Sequence, residues 1–158
     1  KLDYECELAV VLGKDAKDVP AGQTKDYVFG YTILNDVSAR DVQTAHKQWY
    51  FGKSLDDFTP IGPWIVTKDE FKNPPALPIR SYVNGELRQD SNTELMINGI
   101  EKVICELTQG MTLQAGTIIA MGTPAGVGMG FQPPKFLKKG DIVKCEIEGI
   151  GSMTNKIK

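Results

Sequence analysis

The sequence predicts a mainly β fold with short helices, arranged as a curled, largely antiparallel sheet or sandwich. Segments in which apolar and polar residues alternate outnumber segments with helical periodicity. Most of these predicted strands are joined by turns or short excursions, so a doubly wound βαβ fold fits poorly. The Asn84-Gly85 pair, between two alternating segments, adds a direct hairpin signal.

The first predicted strand covers residues 2–12, where side chains alternate between two faces. The segment QTKDYVFGYTILND predicts a short helical turn that ends near Gly30, followed by a strand over residues 31–35. An aromatic stretch separates this strand from another one predicted at residues 64–66. The last predicted strands lie in GTIIAMGT and in DIVKCEIEGIGSMTNKIK.

A hairpin and one helix are predicted in the middle of the chain. Asn84 and Gly85 lie between IRSYV and ELRQ, and both central residues of a type I′ turn need positive φ. A helix is predicted to begin after Asn98, which can cap it while Glu101 reaches back, and to end near Gly110. It is expected to be the longest helix.

Length and composition are consistent with a single domain over residues 1–158. The chain is 41% hydrophobic and 24% charged, which suits one globular core. Its net charge of −2, with mixed signs, predicts no nucleic-acid partner and no membrane surface. No apolar stretch is long enough for a bilayer, so a soluble protein is expected. Because the chain opens at Lys1 inside a strand-like pattern, we expect that a natural N-terminal segment is missing.

The three cysteines are odd in number and widely spaced, at Cys6, Cys105 and Cys145. Each lies in a segment that also contains several apolar residues, which indicates buried free thiols rather than disulfides or a zinc site. A reducing compartment follows from this reading, and the cytoplasm is the expected location.

Acidic residues in DYECELAVV indicate a candidate metal site. Residues i and i+2 of a strand share a face and lie about 6.5–7 Å apart, so Glu5 and Glu7 can converge on one point. Their face continues into Ala9 and Val11, which favours burial, and buried carboxylates need a counter-charge. A hard cation such as Mg²⁺, Mn²⁺ or Ca²⁺ meets that need. The alternative is a solvated strand edge.

A third acid strengthens the metal hypothesis. Asp36 in ILNDVSARD follows an apolar strand, which is a common way to present a ligand at a turn. The alternative for Asp36 is an Asx-turn that caps the following backbone.

Five segments together carry a more specific signal than any single motif. They are DYECELAVVLG, GYTILNDVSARDVQ, FGKSLDDFTPIGPW, LTQGMTLQAGTIIAMGTPAGVG and FLKKGDIVKCEIEGIG. In this order, over residues 3–151, they resemble the catalytic C-terminal domain of the fumarylacetoacetate hydrolase family. The resemblance implies that family's mixed β-sandwich roll and a homodimer.

The resemblance also implies roles for individual residues. Glu5, Glu7 and Asp36 match the family's ligands for Mg²⁺ or Mn²⁺, and Lys53 matches a lysine near the metal. Lys53 could hold a carboxylate, or exchange a proton if a nearby metal lowers its pKa. The alternative for Lys53 is an ordinary surface lysine.

Three further residues match positions that face the substrate in the family: Arg40, Gln43 and Thr123. Arg40 offers a planar fork for a substrate carboxylate. Equally, Arg40 could pair with Asp41 or Asp36 in a purely structural role. The glycines of GTPAGVGMG have no P-loop context, so a flexible loop that closes over the substrate is the preferred reading.

These assignments predict a divalent-metal-dependent enzyme that cleaves a C–C bond of a 2,4-dioxo (acylpyruvate-type) acid through a metal-stabilised pyruvate enolate. The alternatives are an oxaloacetate decarboxylase or tautomerase, a 2-hydroxyhepta-2,4-diene-1,7-dioate isomerase, or a β-rich binding domain without catalysis. Hydrolytic members of the family activate water with a His–Glu pair on an N-terminal segment. The only histidine here, His46, follows Asp36 and has no nearby glutamate, so a solvent-facing loop position is favoured for it.

Overall fold

The computed structural model describes residues 1–45 and 47–158, so the expectation for His46 lies outside the described residues. Ten strands and three short α-helices make up the regular structure. The strands are β1 (Leu2–Asp3), β2 (Cys6–Leu12), β3 (Val28–Asn35), β4 (Ser38–Ala39), β5 (Ile61–Thr67), β6 (Pro78–Val83), β7 (Glu86–Asn92), β8 (Ile118–Ala120), β9 (Ile142–Ile147) and β10 (Gly151–Lys156). The helices are α1 (Arg40–Ala45), α2 (Tyr50–Lys53) and α3 (Ile100–Thr108).

The strands form two four-stranded sheets and one small ribbon. One sheet has the order β5-β3-β2-β8, the other has the order β10-β9-β6-β7, and β1 pairs with β4. Every pairing among the described residues is antiparallel. The mainly β architecture with short helices predicted from the sequence is therefore confirmed.

The segment predicted as one strand over residues 2–12 is two strands, because the ladder is interrupted at Tyr4 and Glu5. The alternation itself holds: Cys6, Leu8 and Val10 lie in the hydrophobic core. Every residue of β2 is buried, including those of the opposite face. The carboxylates on that face are therefore withdrawn from bulk water.

Gly30 does not end a helical turn, as the sequence predicted, but lies inside β3. A single 3-10 turn ends at Asp26, and the strand starts at Val28. A Cβ atom at position 30 would lie 2.3 Å from the carbonyl oxygen of Val66 on β5. Glycine is required there because β5 approaches closely, and no local sequence pattern reports such a contact.

The predicted Asn-Gly hairpin is confirmed. Asn84 and Gly85 have φ values of 52° and 83° and connect β6 to β7.

The predicted capping box of α3 is wrong, since Gly99 is the N-cap and has no side-chain cap. The Glu101 carboxylate instead accepts a hydrogen bond from the backbone N–H of Gly22, at 2.8 Å. The contact with Gly22, which is distant in sequence, therefore occupies the Glu101 side chain that the capping box would require.

The cysteines are free, with Cys6 and Cys145 buried in the core and Cys105 partly buried. This agrees with the reading of the sequence. Among the described residues, no helix is both long enough and apolar enough to cross a membrane.

Candidate active site

Three carboxylates meet where β2 begins and β3 ends. Glu5 precedes β2, Glu7 lies within it, and Asp36 directly follows β3. One carboxylate oxygen from each residue lies within 4.8 Å of those from the other two. Glu5 and Glu7 are buried, and Asp36 is half-buried. The acids that the sequence predicts as metal ligands are thus brought together, and they do not form a solvated strand edge.

Hydrogen bonds of the main chain hold the two strand ends in register. The Asp36 N–H donates to the carbonyl oxygen of Glu5 at 2.9 Å. The buried Asn35 side chain accepts a hydrogen bond from the Glu5 N–H at 3.0 Å. The relative position of Glu5 and Asp36 is therefore set by backbone contacts, independently of any bound ion.

Lys53, at the end of α2, places its ammonium group between two of these acids. The Nζ atom lies 2.6 Å from Glu5 Oε2 and 2.6 Å from Asp36 Oδ2. Burial lowers the pKa of Lys53, but the hydrogen bonds and charges of Asp36 and Glu5 outweigh it, so the pKa is raised. Lys53 is no surface lysine, and in the ion-free site its proton is held firmly. The Asp36 carboxylate binds this ammonium instead of capping a turn.

Glu7 has a raised pKa in this cluster. Burial raises its pKa to about 7, the N–H of Gly122 lowers it, and the charges of Asp36 and Glu5 raise it. The Gly122 N–H donates to Glu7 Oε2 at 2.7 Å. Without a further cation, Glu7 is therefore about half protonated at neutral pH.

Arg40, at the start of α1, forms ion pairs with two acids. Its Nε donates to Asp3 Oδ2 at 3.0 Å, and its second terminal nitrogen lies 2.7 Å from Glu5 Oε1. The structural partners considered from the sequence, Asp41 and Asp36, are wrong. Burial lowers the pKa of Arg40, and the charges and hydrogen bonds of Glu5 and Asp3 raise it overall.

Asp3 is a site residue that sequence reasoning missed, although it lies two positions before Glu5 on the same predicted face. Its carboxylate is completely buried. Besides Arg40, it accepts hydrogen bonds from the N–H groups of Tyr4, Gly128 and Met129, at 2.9, 2.6 and 2.9 Å. The extension of the acidic pattern to D-Y-E-C-E was the available signal.

The glycine-rich loop is anchored by hydrogen bonds from several directions, and its closing over a substrate stays a prediction. Besides the bonds to Asp3, the Tyr4 hydroxyl donates to the Gly126 carbonyl oxygen at 2.7 Å. A Cβ atom at Gly128 would lie 2.4 Å from the Lys135 carbonyl oxygen. One at Gly126 would lie 2.0 Å from the carbonyl oxygen of Arg88. At these two positions glycine permits the close approach of neighbouring carbonyl oxygens.

Gln43 and Thr123, the other two predicted substrate contacts, have protein partners. Gln43 is buried, and its Oε1 atom accepts a hydrogen bond from Arg40 at 3.1 Å. The Thr123 hydroxyl donates to the Cys6 carbonyl oxygen at 2.9 Å and accepts from Gln89 at 2.7 Å. Both side chains therefore hold other groups of the site in place.

A cavity of about 470 Å³ begins at the loop next to Glu7. Gly122 and Thr123 line one end, and Ile79, Met96 and Met121 line its apolar part. Its size is within the usual range for small-molecule sites. Thr123 thus belongs both to the wall of this cavity and to the hydrogen-bonded frame of the acids.

The acidic cluster fits a hard divalent cation. Its donor atoms are all carboxylate oxygens, the type that Mg²⁺, Mn²⁺ and Ca²⁺ prefer. Glu5 and Asp36 share the single positive charge of Lys53, and Glu7 has no cation in direct contact among the described residues. The donor set therefore has both the chemistry and the unbalanced charge that such an ion requires.

Comparison with known proteins identifies the class. The family model for the C-terminal domain of fumarylacetoacetate hydrolase matches residues 1–158, so the chain belongs to this family. A structure of fumarylacetoacetate hydrolase from the psychrophile Exiguobacterium antarcticum is 49% identical, with a TM-score of 0.97. The match covers 100% of this chain and 57% of the Exiguobacterium antarcticum chain. The expected β-sandwich roll of the family is thereby confirmed.

Relatives within the family have different names and activities. The oxaloacetate tautomerase YisK of Bacillus subtilis is 51% identical over 157 residues, which are 99% of this chain and 52% of YisK. A 2-hydroxyhepta-2,4-diene-1,7-dioate isomerase from Mycobacterium marinum is 45% identical, with a TM-score of 0.89, and covers 99% of this chain and 58% of its own. The chain spans about half the length of the curated relatives it matches.

Proposed function

We propose that this chain carries the catalytic site of a divalent-metal-dependent enzyme that converts a small 2-oxo acid by proton transfer at C3. The observation that carries the proposal is an excess of negative charge in a buried cluster. Four carboxylates face two cations in this cluster: Asp3, Glu5, Glu7 and Asp36 against Arg40 and Lys53. With Glu7 ionised, two negative charges remain, which one divalent ion balances.

Glu5, Glu7 and Asp36 would hold the ion, and Mg²⁺ or Mn²⁺ is the first candidate, with Ca²⁺ as a further option. The chemistry supplied by such an ion is stabilisation of the negative charge that develops on the keto oxygen of a 2-oxo acid. Arg40 has a supporting role, because its contacts with Asp3 and Glu5 fix the orientation of Glu5. Gln43 in turn orients Arg40.

Lys53 would move the proton. Its Nζ atom is held by Glu5 and Asp36 and can be aimed at a substrate carbon from α2. Proton exchange requires a pKa lower than the carboxylates alone impose, and an added positive charge near Lys53 acts in that direction. Thr123, at the wall of the cavity, remains the proposed contact for the substrate carboxylate.

Keto–enol conversion, with oxaloacetate as the first substrate to test, is the reaction that these residues support best. It needs one proton carrier beside the cluster, which Lys53 supplies, and the 51% identical YisK is named an oxaloacetate tautomerase. C–C hydrolysis of a 2,4-dioxo acid is the second candidate, favoured by the relative named fumarylacetoacetate hydrolase. Hydrolysis needs a water-activating base in addition.

Two assays with the same preparation separate these candidates. Decay of the enol band of oxaloacetate in the presence of Mg²⁺ or Mn²⁺ reports tautomerisation, and pyruvate release from an acylpyruvate reports hydrolysis. We expect Glu5→Gln and Asp36→Asn to abolish the activity and also the rise in melting temperature caused by Mn²⁺. If Mn²⁺ stabilises these two variants as much as the wild type, the assignment of the ligands is wrong. If neither assay responds, a binding domain without catalysis becomes the better reading.

The homodimer expected from the resemblance is proposed through the edge strand β5. Ile61, Trp64 and Ile65 on β5 are exposed, as is Phe29 on the neighbouring strand, and Trp64 is 61% accessible. Apolar surfaces of this kind are typical of protein interfaces. Trp64→Lys should shift the protein from dimer to monomer in sedimentation velocity, whereas Leu95→Lys, at an exposed position on another part of the surface, should not. A wild-type monomer at micromolar concentration would contradict the proposal.

A further inference from the structure

We infer that Gln89 is a positioning residue of the proposed site, and that its side-chain amide holds the backbone between Glu5 and Glu7 against the loop that carries Thr123. The inference rests on the proposed function, because it assigns Gln89 to the assembly of that site. Gln89 lies on β7, in the sheet that does not contain the acids. It reaches the site from the opposite sheet.

Gln89 is completely buried, and both polar atoms of its side chain form hydrogen bonds within the protein. Its Oε1 atom accepts from the Cys6 N–H at 3.1 Å and from the Ser81 hydroxyl at 2.7 Å. Its Nε2 atom donates to the Thr123 hydroxyl at 2.7 Å and to the Pro124 carbonyl oxygen at 2.8 Å. Four hydrogen bonds are the full complement of a glutamine amide.

The backbone at Cys6 needs these partners because the sheet stops short of it. On one side of β2, the strand β8 pairs only with the three residues from Ala9 to Val11. At Cys6 the ladder is replaced by side chains: the N–H binds Gln89, and the carbonyl oxygen binds the Thr123 hydroxyl. Without Gln89, a buried N–H group would be left without a partner.

The chemistry of the partners fixes the orientation of the amide. The Cys6 N–H can only donate and the Pro124 carbonyl can only accept, so Oε1 faces Cys6 and Nε2 faces the loop. The Thr123 hydroxyl therefore accepts from Gln89 and gives its own proton to the Cys6 carbonyl oxygen. Gln89, Cys6 and Thr123 form a closed triangle of hydrogen bonds.

This triangle acts on both sides of the proposed ion site. Cys6 is the residue between Glu5 and Glu7, so a shift of its backbone displaces both acids. Gly122, next to Thr123, donates its N–H to Glu7 at 2.7 Å. Gln89 thus sets the position of the acid-bearing strand and of the loop that contacts Glu7, although it touches neither an acid nor the cavity interior itself.

The test compares Gln89→Met with the matched control Ser81→Ala, using Mn²⁺ alone and then oxalate, a 2-oxo acid mimic, measured by titration calorimetry on the full chain. Ser81 donates to the same Oε1 atom but contacts neither Cys6 nor the loop through its hydroxyl. We expect at least tenfold weaker Mn²⁺ binding and at least tenfold weaker oxalate binding in Gln89→Met, against less than threefold in Ser81→Ala. Equal losses in the two variants would mean a general packing effect and would overturn the inference.

Gln89→Glu provides a second variant if Gln89→Met fails to fold. When protonated, the glutamic acid can accept from Cys6 and donate to Pro124 or Thr123; when ionised, it repels the Pro124 carbonyl oxygen. Either form lacks at least one of the two donors of Nε2, so Mn²⁺ binding should be at least fivefold weaker than in the wild type at both pH 6 and pH 8.5. An affinity equal to that of the wild type at both pH values would contradict the proposed direction of the amide.

Amide hydrogen exchange separates this inference from the proposed function. Without any ion, exchange at the Cys6 N–H should be at least a hundredfold faster in Gln89→Met than in the wild type, and unchanged in Ser81→Ala. Unchanged exchange at Cys6 overturns the role of Gln89, whatever the metal affinity. A wild type that binds no Mn²⁺ contradicts the proposed function, and with it the assignment of Gln89 to a metal site.

Discussion

The Nζ atom of Lys53 lies 2.6 Å from Oδ2 of Asp36, and the same ammonium group contacts Glu5 at an equal distance. The single positive charge of Lys53 is therefore shared by two of the three acids that we propose as metal ligands. Any divalent ion that enters has to share these carboxylates with Lys53. The energetics of metal binding and of the ammonium group are linked as a result.

Lys53→Met should lower the melting temperature of the ion-free protein, because the carboxylates of Glu5 and Asp36 lose their shared counter-charge. The same variant should show a larger rise in melting temperature on addition of Mn²⁺ than the wild type, since the ion no longer competes with an ammonium group. Differential scanning fluorimetry with and without Mn²⁺ measures both effects. Lys102→Met, at an exposed position on α3, is the control and should behave as the wild type. An unchanged or smaller response to Mn²⁺ in Lys53→Met would contradict this linkage.

Glu7 should make the stability of the ion-free protein depend on pH. Its folded-state pKa of about 7 is above the ordinary value of 4.5, so the folded state keeps a proton that the unfolded chain releases. This stabilising contribution is complete below about pH 4.5 and is lost as the pH rises through about 7. In EDTA, the free energy of unfolding of the wild type should fall by about 2–3 kcal/mol relative to that of Glu7→Gln between pH 4.5 and pH 8.5.

Urea denaturation of both proteins at the two pH values measures this difference. Saturating Mn²⁺ should reverse it at pH 8.5, because the ion favours the ionised form of Glu7. A difference in unfolding free energy between wild type and Glu7→Gln that stays constant with pH would show that Glu7 has an ordinary pKa.

Asp3→Asn should destabilise the fold and loosen the glycine-rich loop. An asparagine has one acceptor oxygen and no charge, so it cannot serve Arg40 and all three backbone N–H groups that Asp3 accepts from. Disrupting a buried ion pair of this kind costs about 3–5 kcal/mol. Urea denaturation measures the loss, and faster exchange of the Gly128 and Met129 amides locates it. Asp90→Asn, which removes an exposed ion pair with Arg80, should leave both readouts unchanged.

Gly128→Ala and Gly130→Ala form a matched pair in the same loop. A Cβ atom at position 128 would lie 2.4 Å from the Lys135 carbonyl oxygen and 2.7 Å from Asp3 Oδ1, whereas at position 130 the nearest atom is 4.0 Å away. We expect a loss of about 1–3 kcal/mol for Gly128→Ala and of less than about 1 kcal/mol for Gly130→Ala. Thermal unfolding decides between this packing role and loop flexibility, since a role in flexibility would make the two variants similar.

Local patterns were sufficient to predict most of the strands and to indicate three candidate acids, whose shared role as ligands was implied by the family resemblance. The alternation around Glu5 and Glu7 is a property of a single strand, and the position of Asp36 follows from the end of the next one. Gly30 could not be understood in the same way, because its cause is the carbonyl oxygen of Val66, which is distant in sequence. The Asn98 cap failed for a related reason, since a contact with Gly22 occupies Glu101.

The partners of the charged and polar side chains were the hardest part to predict. Arg40 could pair with any acid that the fold brings near, and the nearest acids in sequence were the wrong choice. Gln89 appears in sequence as one polar residue of a hairpin strand, with nothing to indicate that it crosses between sheets to Cys6. Such assignments depend on tertiary geometry, which spacing along the chain does not encode.

The placement of Cys6 has a consequence for how this protein can change over evolutionary time. Its thiol lies in the hydrophobic core, while its neighbours on either side are the two acids of the proposed ion site. Substitutions that repack the interior around this thiol are therefore transmitted directly to the positions of both acids.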